Sequence, residues 1–194
     1  MRIIGGEFSG RRITAPPGRN ARPTTDRNRE ALFNILAHDQ DVTLDGARVI
    51  DLFAGSGALG LEALSRGAAF CLFIDTDAKA RGAIRDNIEA LGLFGRSRLH
   101  RRSATNLGAK PAGVGAPFTL AFLDPPYRMG LAEPALETLR DGAWLQPGAA
   151  VIVEQAADEP AAEISGFVET DRRRQGDTQI SRYVFDRSDD SASS

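Results

Sequence analysis

Leu123-Asp124-Pro125-Pro126-Tyr127 closes an apolar stretch about seventy residues downstream of a glycine-rich segment, Asp51–Gly60. Each proline fixes φ and lacks an N–H, so these residues neither extend a strand nor start a helix easily. They form a stiff ledge whose carbonyls remain available as acceptors. A carboxylate and a carbonyl beside a planar ring suit gripping an amino group on a flat heterocycle. That points to chemistry on a nucleobase, with Asp124, Pro125, Pro126 and Tyr127 as candidate catalytic residues. A rigid turn with a helix-capping Asp is the plainer alternative, but it would not require the aromatic ring.

Gly55-Ser56-Gly57-Ala58-Leu59-Gly60 matches G-x-G-x-x-G between an expected strand and an expected helix, and Asp75 ends the next strand twenty residues after Gly55. An acid at that place grips ribose hydroxyls in nucleotide-binding sheets. Nicotinamide dinucleotides and S-adenosylmethionine both carry an adenosine ribose, so Asp75 does not choose between them. Asp51 does. Four residues before Gly55, at the strand end, its carboxylate could face the cationic amino acid end of S-adenosylmethionine. In a dinucleotide site the same position approaches pyrophosphate, where negative charge is unfavourable. A nicotinamide oxidoreductase is therefore the runner-up, and it leaves Asp124–Tyr127 unexplained.

The elements that must position these groups follow from periodicity. Val49–Phe53 reads as a strand, Ala58–Ser65 as a helix ended by Gly67, and Ala69–Ile74 as a strand buried on both faces. Asp77 caps a helix with the stripe Ala80, Ile84, Ile88 and Leu91, closed by Gly92. Arg98–His100 is a short strand, Lys110–Pro117 a loop and Phe118–Leu123 a strand. A helix with Pro134 in its first turn runs to Arg140, and Gln146-Pro147-Gly148 is a turn before strand Ala149–Glu154. Phe167–Arg174 and Thr178–Phe185 form a terminal hairpin around Gln175-Gly176-Asp177. The fold class is α/β, a doubly wound, mostly parallel seven-stranded sheet with a small N-terminal extension, its ligands at the C-terminal strand edge.

In that extension, Arg2–Phe8 and Arg11–Thr14 read as a short β-hairpin with a bulge at Gly5-Gly6, and Ala15–Pro23 as a linker. A helix comes next, with Thr25 or Asp26 as N-cap and Ala31, Leu32, Ile35 and Leu36 as its buried stripe. The expected division is an N-terminal basic extension over 1–40, a catalytic domain over 41–186 and a polar, disordered tail over 187–194.

Hydrophobic content of 42% and charged content of 26% fit a globular chain of 194 residues with a real core. No membrane span or signal peptide is legible, a single cysteine (Cys71) excludes an internal disulfide, and His38 and His100 give no zinc spacing. A cytoplasmic, metal-free protein is expected. Net charge is −2, yet the first thirty residues carry seven arginines against three acids, +4, leaving −6 for the rest. Arginine outnumbers lysine 22 to 2, a coding bias that explains the choice of cation but not its clustering. A phosphate-contacting arm does explain it.

Asp51-Leu-Phe-Ala-Gly55-Ser-Gly57-Ala-Leu-Gly60 followed by Asp124-Pro-Pro-Tyr127 resembles motifs I and IV of class I methyltransferases that modify exocyclic amines. Arg2-Ile-Ile-Gly-Gly-Glu7, Gly10-Arg-Arg and Arg22-Pro-Thr-Thr-Asp26-Arg-Asn-Arg-Glu30-Ala-Leu-Phe33-Asn-Ile-Leu36 narrow the resemblance to the bacterial 16S ribosomal RNA guanine-N2 methyltransferases, the RsmD family, over residues 1–185. The second motif alone would also fit adenine-N6 DNA enzymes, for which no segment here is large enough to make a separate target-recognition domain.

The resemblance implies S-adenosylmethionine as cofactor, bound by Asp51, Phe53, Ala54, Gly55, Ser56 and Gly57, with Asp51, Gly55 and Gly57 lining its methionine end. Asp75 would take the ribose, Thr76 would flank the adenine, and Ser103-Ala104 would stand where relatives place an Asp or Asn on the adenine amine. The basic arm supplies the expected RNA face, Arg11, Arg12, Arg22, Thr24, Arg27 and Arg29. Asp124 and the Pro125 carbonyl would accept the two amine hydrogens of guanine, and Tyr127 would stack on the extruded base. The implied partner is 16S ribosomal RNA, within a small-subunit particle, acted on by a monomer.

Overall fold

Alternating apolar strands and amphipathic helices set the architecture of the computed structural model, which describes residues 1–17, 26–39 and 41–186. In chain order these are α1 (Asp26–His38), β1 (Arg48–Leu52), α2 (Ala58–Ser65), β2 (Phe70–Ile74), α3 (Ala78–Leu91), β3 (Ser97–His100), β4 (Phe118–Leu123), α4 (Ala132–Asp141), β5 (Leu145–Ala156), β6 (Phe167–Gln175) and β7 (Thr178–Phe185). The strands take the order β3-β2-β1-β4-β5-β7-β6 in a seven-stranded sheet. β5/β7 and β7/β6 are antiparallel, so the sheet is mixed at one edge and otherwise of the expected class. The chain divides into two compact units, Met1–Arg102 and Ser103–Ser194. Among the described residues, no helix is long and apolar enough to cross a membrane.

In the first unit β1, β2 and β3 are parallel, with Asp51 level with Phe73 and Leu52 with Ile74. β2 is buried on both faces, which its unbroken apolar run requires. Helix α2 packs on β1 and β2. It comes so close at Gly60 that a Cβ there would lie 2.4 Å from a Phe73 ring carbon and 2.5 Å from Cys71 Sγ. The last glycine of the glycine-rich loop thus serves helix-to-strand packing. Gly60→Ala is expected to cost about 1–3 kcal/mol by overpacking, read as a lower midpoint in urea denaturation. An unchanged midpoint would mean that α2 can back away freely.

The N-terminal segment is less strand-like than its sequence suggests. Arg2 and Arg12 make one isolated antiparallel bridge, supported by Ile3 N–H to Arg11 O (2.9 Å) and Ile13 N–H to Met1 O (3.1 Å). Residues between them turn away because their amides find other acceptors. Ile4 and Gly5 donate to the Glu62 carboxylate at 2.8 and 2.9 Å, Phe8 to Ser65 Oγ and Glu7 to Ser65 O. Helix α1 presents Arg29, Leu32, Phe33 and Leu36 inward, where Ala31 and Ile35 were expected beside Leu32 and Leu36. The two stripes overlap, and the buried Glu62 carboxylate favours the one that brings Arg29 inward.

In the second unit β4 and β5 are parallel, and α4 packs on β5. The expected turn at Gln146-Pro147-Gly148 lies instead inside β5. Between the pairs Phe118–Leu145 and Leu120–Ala150 the register slips, so the extra residues of β5 bulge out. A bulge is where a sheet tolerates a proline, because the missing N–H breaks no ladder. Trp144 is buried beside Phe118 and donates its indole N–H to Gly108 O at 2.8 Å. The β6/β7 hairpin lies where expected, while residues 187–194, read as a tail, fall outside the described residues.

Candidate functional site

The loop that leaves β1 is wound tightly. Phe53, Gly55 and Gly57 have φ of 57, 59 and 78°, so three residues in five lie in the left-handed region. Phe53 is not glycine, and a side chain held there is a strain that marks a built turn. Two carboxylates fix the loop. Asp75, at the end of β2, accepts the Gly55 amide on Oδ2 at 2.9 Å and the Asp77 amide on Oδ1 at 2.8 Å. Asp51 accepts the Gly60 amide at 2.9 Å, satisfying a donor in the first turn of α2.

Asp51 is fully buried, and desolvation above all raises its pKa to about 8. The Gly60 hydrogen bond works against that rise, and the nearby negative Asp75 adds to it. Thr76 is exposed on the turn after Asp75, and Asp77 caps α3 through the Lys79 and Ala80 amides. Asp51, residues 53–57, Asp75 and Thr76 thus meet at one end of β1 and β2. Asn87 was not anticipated. Buried in α3, it donates to Ser56 O and Thr14 O at 3.0 Å and accepts the Thr14 amide at 2.7 Å, tying the N-terminal segment to the loop. Its place among the apolar stripe of α3 was the available signal.

In the second unit the ledge leaves β4 with Pro125 buried, Pro126 exposed, and Asp124 and Tyr127 half-buried. Tyr127 donates its hydroxyl proton to Glu154 Oε1 at 2.9 Å and lies 2.9 Å from Thr178 Oγ1. Burial, foremost, and the Glu154 charge keep the phenol protonated, with its pKa raised far above the ordinary value. The chain then turns through Arg128, at φ 58°, whose guanidinium pairs with Asp158 at 3.0 Å. Glu154 and Thr178 were not singled out in the sequence. A carboxylate ending the apolar run of β5 was the visible sign.

Ser103 and Ala104, expected at the adenine, form a local turn. The Ser103 hydroxyl lies 3.0 Å from Thr105 Oγ1 and accepts the Thr105 amide at 3.3 Å, while Ala104 is buried. On the N-terminal arm Arg11, Arg12 and Arg27 are exposed, Arg11 also donating to Ala90 O at 2.8 Å. Arg29 corrects the expectation of an RNA contact. It is 1% exposed, 3.5 Å from Glu62 and 3.1 Å from Asp26, and it donates to Arg2 O, so its charge is spent inside the unit. Arg22 and Thr24 fall outside the described residues.

Residues 1–184 match the family model described as "Conserved hypothetical protein 95". The chain is 42% identical over 158 residues to "Ribosomal RNA small subunit methyltransferase D" of Escherichia coli, covering 81% of this chain and 76% of that protein. It is 36% identical over 163 residues to the protein of the same name from Haemophilus influenzae, covering 82% and 81%. A solved structure, the yhhF protein of Escherichia coli with a provisional methyltransferase designation, superposes with a TM-score of 0.80 at 34% identity. That match covers 96% of this chain and 98% of the other.

Proposed function

We propose a reaction from the premise that this chain belongs to the Conserved hypothetical protein 95 family, the RsmD family. It is a methyltransferase of ribosomal RNA, and the reaction proposed is methylation of the exocyclic N2 amine of one guanine in 16S RNA by S-adenosylmethionine. The substrate is taken to be RNA in a small-subunit particle, met by a monomer in the cytoplasm. Residues 1–40 serve as the RNA-facing extension of a catalytic domain over 41–186, with exposed Arg11, Arg12 and Arg27 supplying phosphate contacts and Arg22 and Thr24 extending them. The observation that carries the reading is the Asp124–Tyr127 ledge, with its acid, its rigid prolines and its aromatic ring held by the hydroxyl.

The chain's residues fit the cofactor. Each Asp75 oxygen accepts one backbone amide, which leaves each a further lone pair for ribose hydroxyls. Asp51 offers a buried carboxyl that a cation would ionise, and Phe53–Gly57 shape the turn around the methionine end. Thr76 flanks the adenine, and Ser103-Ala104 keep their proposed place near it. When bound, S-adenosylmethionine supplies a methyl group already activated by its sulfonium. Asp124 and the Pro125 carbonyl accept the two hydrogens of the guanine amine, whose lone pair is otherwise delocalised into the ring. Holding them turns that lone pair out of conjugation and fixes its direction, and most of the acceleration comes from this positioning. Tyr127 stacks on the base once it has left its helix.

The test is incubation with methyl-labelled S-adenosylmethionine and, separately, naked 16S RNA, small-subunit particles or DNA. Label recovered as N2-methylguanine from 16S RNA is the expected result. Label in DNA adenine, or in no nucleic acid, would refute the reading.

The raised pKa of Asp51 gives a second test. Below about pH 8 the ligand-free group holds a proton, and an adjacent ammonium favours the carboxylate. Cofactor binding at pH 7 should therefore release a proton, approaching one per molecule, with the release fading above pH 8. Calorimetry in buffers of different ionisation enthalpy measures it, and Asp51→Asn should abolish it. Release unchanged in that variant would remove Asp51 from the site. Because the folded-state pKa lies above that of an ordinary carboxyl, this group also makes the ligand-free fold less stable as pH rises from about 4 to about 8.

A further inference from the structure

We infer that Glu154 and Thr178 are positioning residues that set the plane of the Tyr127 ring for stacking on the target base, an inference that rests on the function proposed above. Glu154 and Thr178 stand on the antiparallel pair β5/β7, where Glu154 faces Ile180 and Ala156 faces Thr178. Side chains alternate across a strand, so both project from the same face of the sheet, diagonally adjacent. Both reach the same atom: Glu154 Oε1 and Thr178 Oγ1 are each 2.9 Å from the Tyr127 hydroxyl oxygen.

The phenol has a single proton, which goes to the Glu154 carboxylate. Thr178 is therefore the donor in the second hydrogen bond. A phenolic O–H prefers the plane of its ring, and so does the lone pair that receives the second bond. Two fixed partners at the hydroxyl thus hold both the far end of the ring and its plane. Burial of Glu154 matters here, because a charge-assisted hydrogen bond is strongest away from water. The backbone on either side of Tyr127 does not do this work alone. Pro125 and Pro126 stiffen the chain before it, and the left-handed Arg128 redirects the chain after it, but neither limits rotation about the tyrosine's own side-chain bonds.

A double-mutant cycle tests the inference, with methyl transfer to 16S RNA and cofactor affinity measured in parallel. Glu154→Ala and Tyr127→Phe should each lower kcat/KM for RNA by about tenfold, through KM more than kcat, without changing the dissociation constant of S-adenosylmethionine. The double variant should be no worse than Tyr127→Phe alone, since both remove one interaction. Glu154→Gln, which keeps an acceptor, should recover most of the activity. Should Glu154→Ala fail to fold, Thr178→Val, which removes the other partner, takes its place in the cycle with Tyr127→Phe.

Losses that multiply in the double variant, or wild-type kcat/KM in Glu154→Ala or Thr178→Val, would overturn the role. These outcomes differ from failure of the underlying reading. In that case the wild-type chain would transfer no methyl group to 16S RNA, and both would fall.

Discussion

Asp124→Ala should reduce methyl transfer to ribosomal RNA by at least roughly 10²–10³-fold, the scale on which a lost preorganised polar partner is felt in a reaction's rate. The N2 amine of guanine is a poor nucleophile because its lone pair is shared with the ring. Removing the carboxylate leaves the Pro125 carbonyl as the remaining proposed acceptor, so one amine hydrogen is unheld and the nitrogen is free to stay planar. Asp124→Asn should fall between the two, since it keeps one acceptor but presents a donor where the base also donates. Affinity for S-adenosylmethionine should stay within about threefold, a difference of about 0.7 kcal/mol, because the residues proposed to hold the cofactor lie elsewhere in the chain. Single-turnover transfer of labelled methyl, with calorimetry of cofactor binding, reads both quantities. Turnover within a few-fold of wild type would remove Asp124 from the chemistry.

The second large effect falls on stability. Glu62 is wholly buried in α2, yet its carboxylate accepts three hydrogen bonds, from the Ile4 amide (2.8 Å), the Gly5 amide (2.9 Å) and Arg66 Nε (2.8 Å), and pairs in charge with Arg29, whose Nε lies 3.5 Å away. Glu62→Ala takes the buried carboxylate away from the Arg29 guanidinium, leaving it the partly exposed Asp26 and Arg2 O, and releases two amides that turn the N-terminal segment onto α2. Breaking a buried pair from one side costs about 3–5 kcal/mol. Chemical denaturation should show a loss of that size, and RNA affinity should fall with it as Arg11 and Arg12 lose their mounting. A loss below about 1 kcal/mol, the scale of a surface ion pair, would mean that water replaces the carboxylate and that the hub is dispensable.

How far each residue could be read depended on the range of the force that places it. Gly55, Gly57 and Gly60 were legible because a tight strand-to-helix turn leaves a local signature, and Asp77 because a helix cap acts over three residues. Ser103 is held by the same short-range forces, its hydroxyl closing a turn with Thr105. Arg29 departs from its expected place because the force that holds it acts at long range along the chain. Counting charge along the N-terminus finds a basic arm, but the carboxylate that takes this arginine out of it lies 33 residues away in an apolar helix.

By itself the sequence determined the succession of strands and helices, the glycine loop with its two carboxylates, and the ledge beside an aromatic ring. All of these are written in patterns a few residues long. Tertiary structure decided which face of α1 turns inward, that the proline of β5 sits in a bulge, and that Asn87 and Glu62 tie down the N-terminal segment while Glu154 and Thr178 bond the Tyr127 hydroxyl. Those outcomes depend on hydrogen bonds between residues far apart in the chain. A buried donor must find whichever acceptor the packed fold brings within about 3 Å, and no local pattern records that partner.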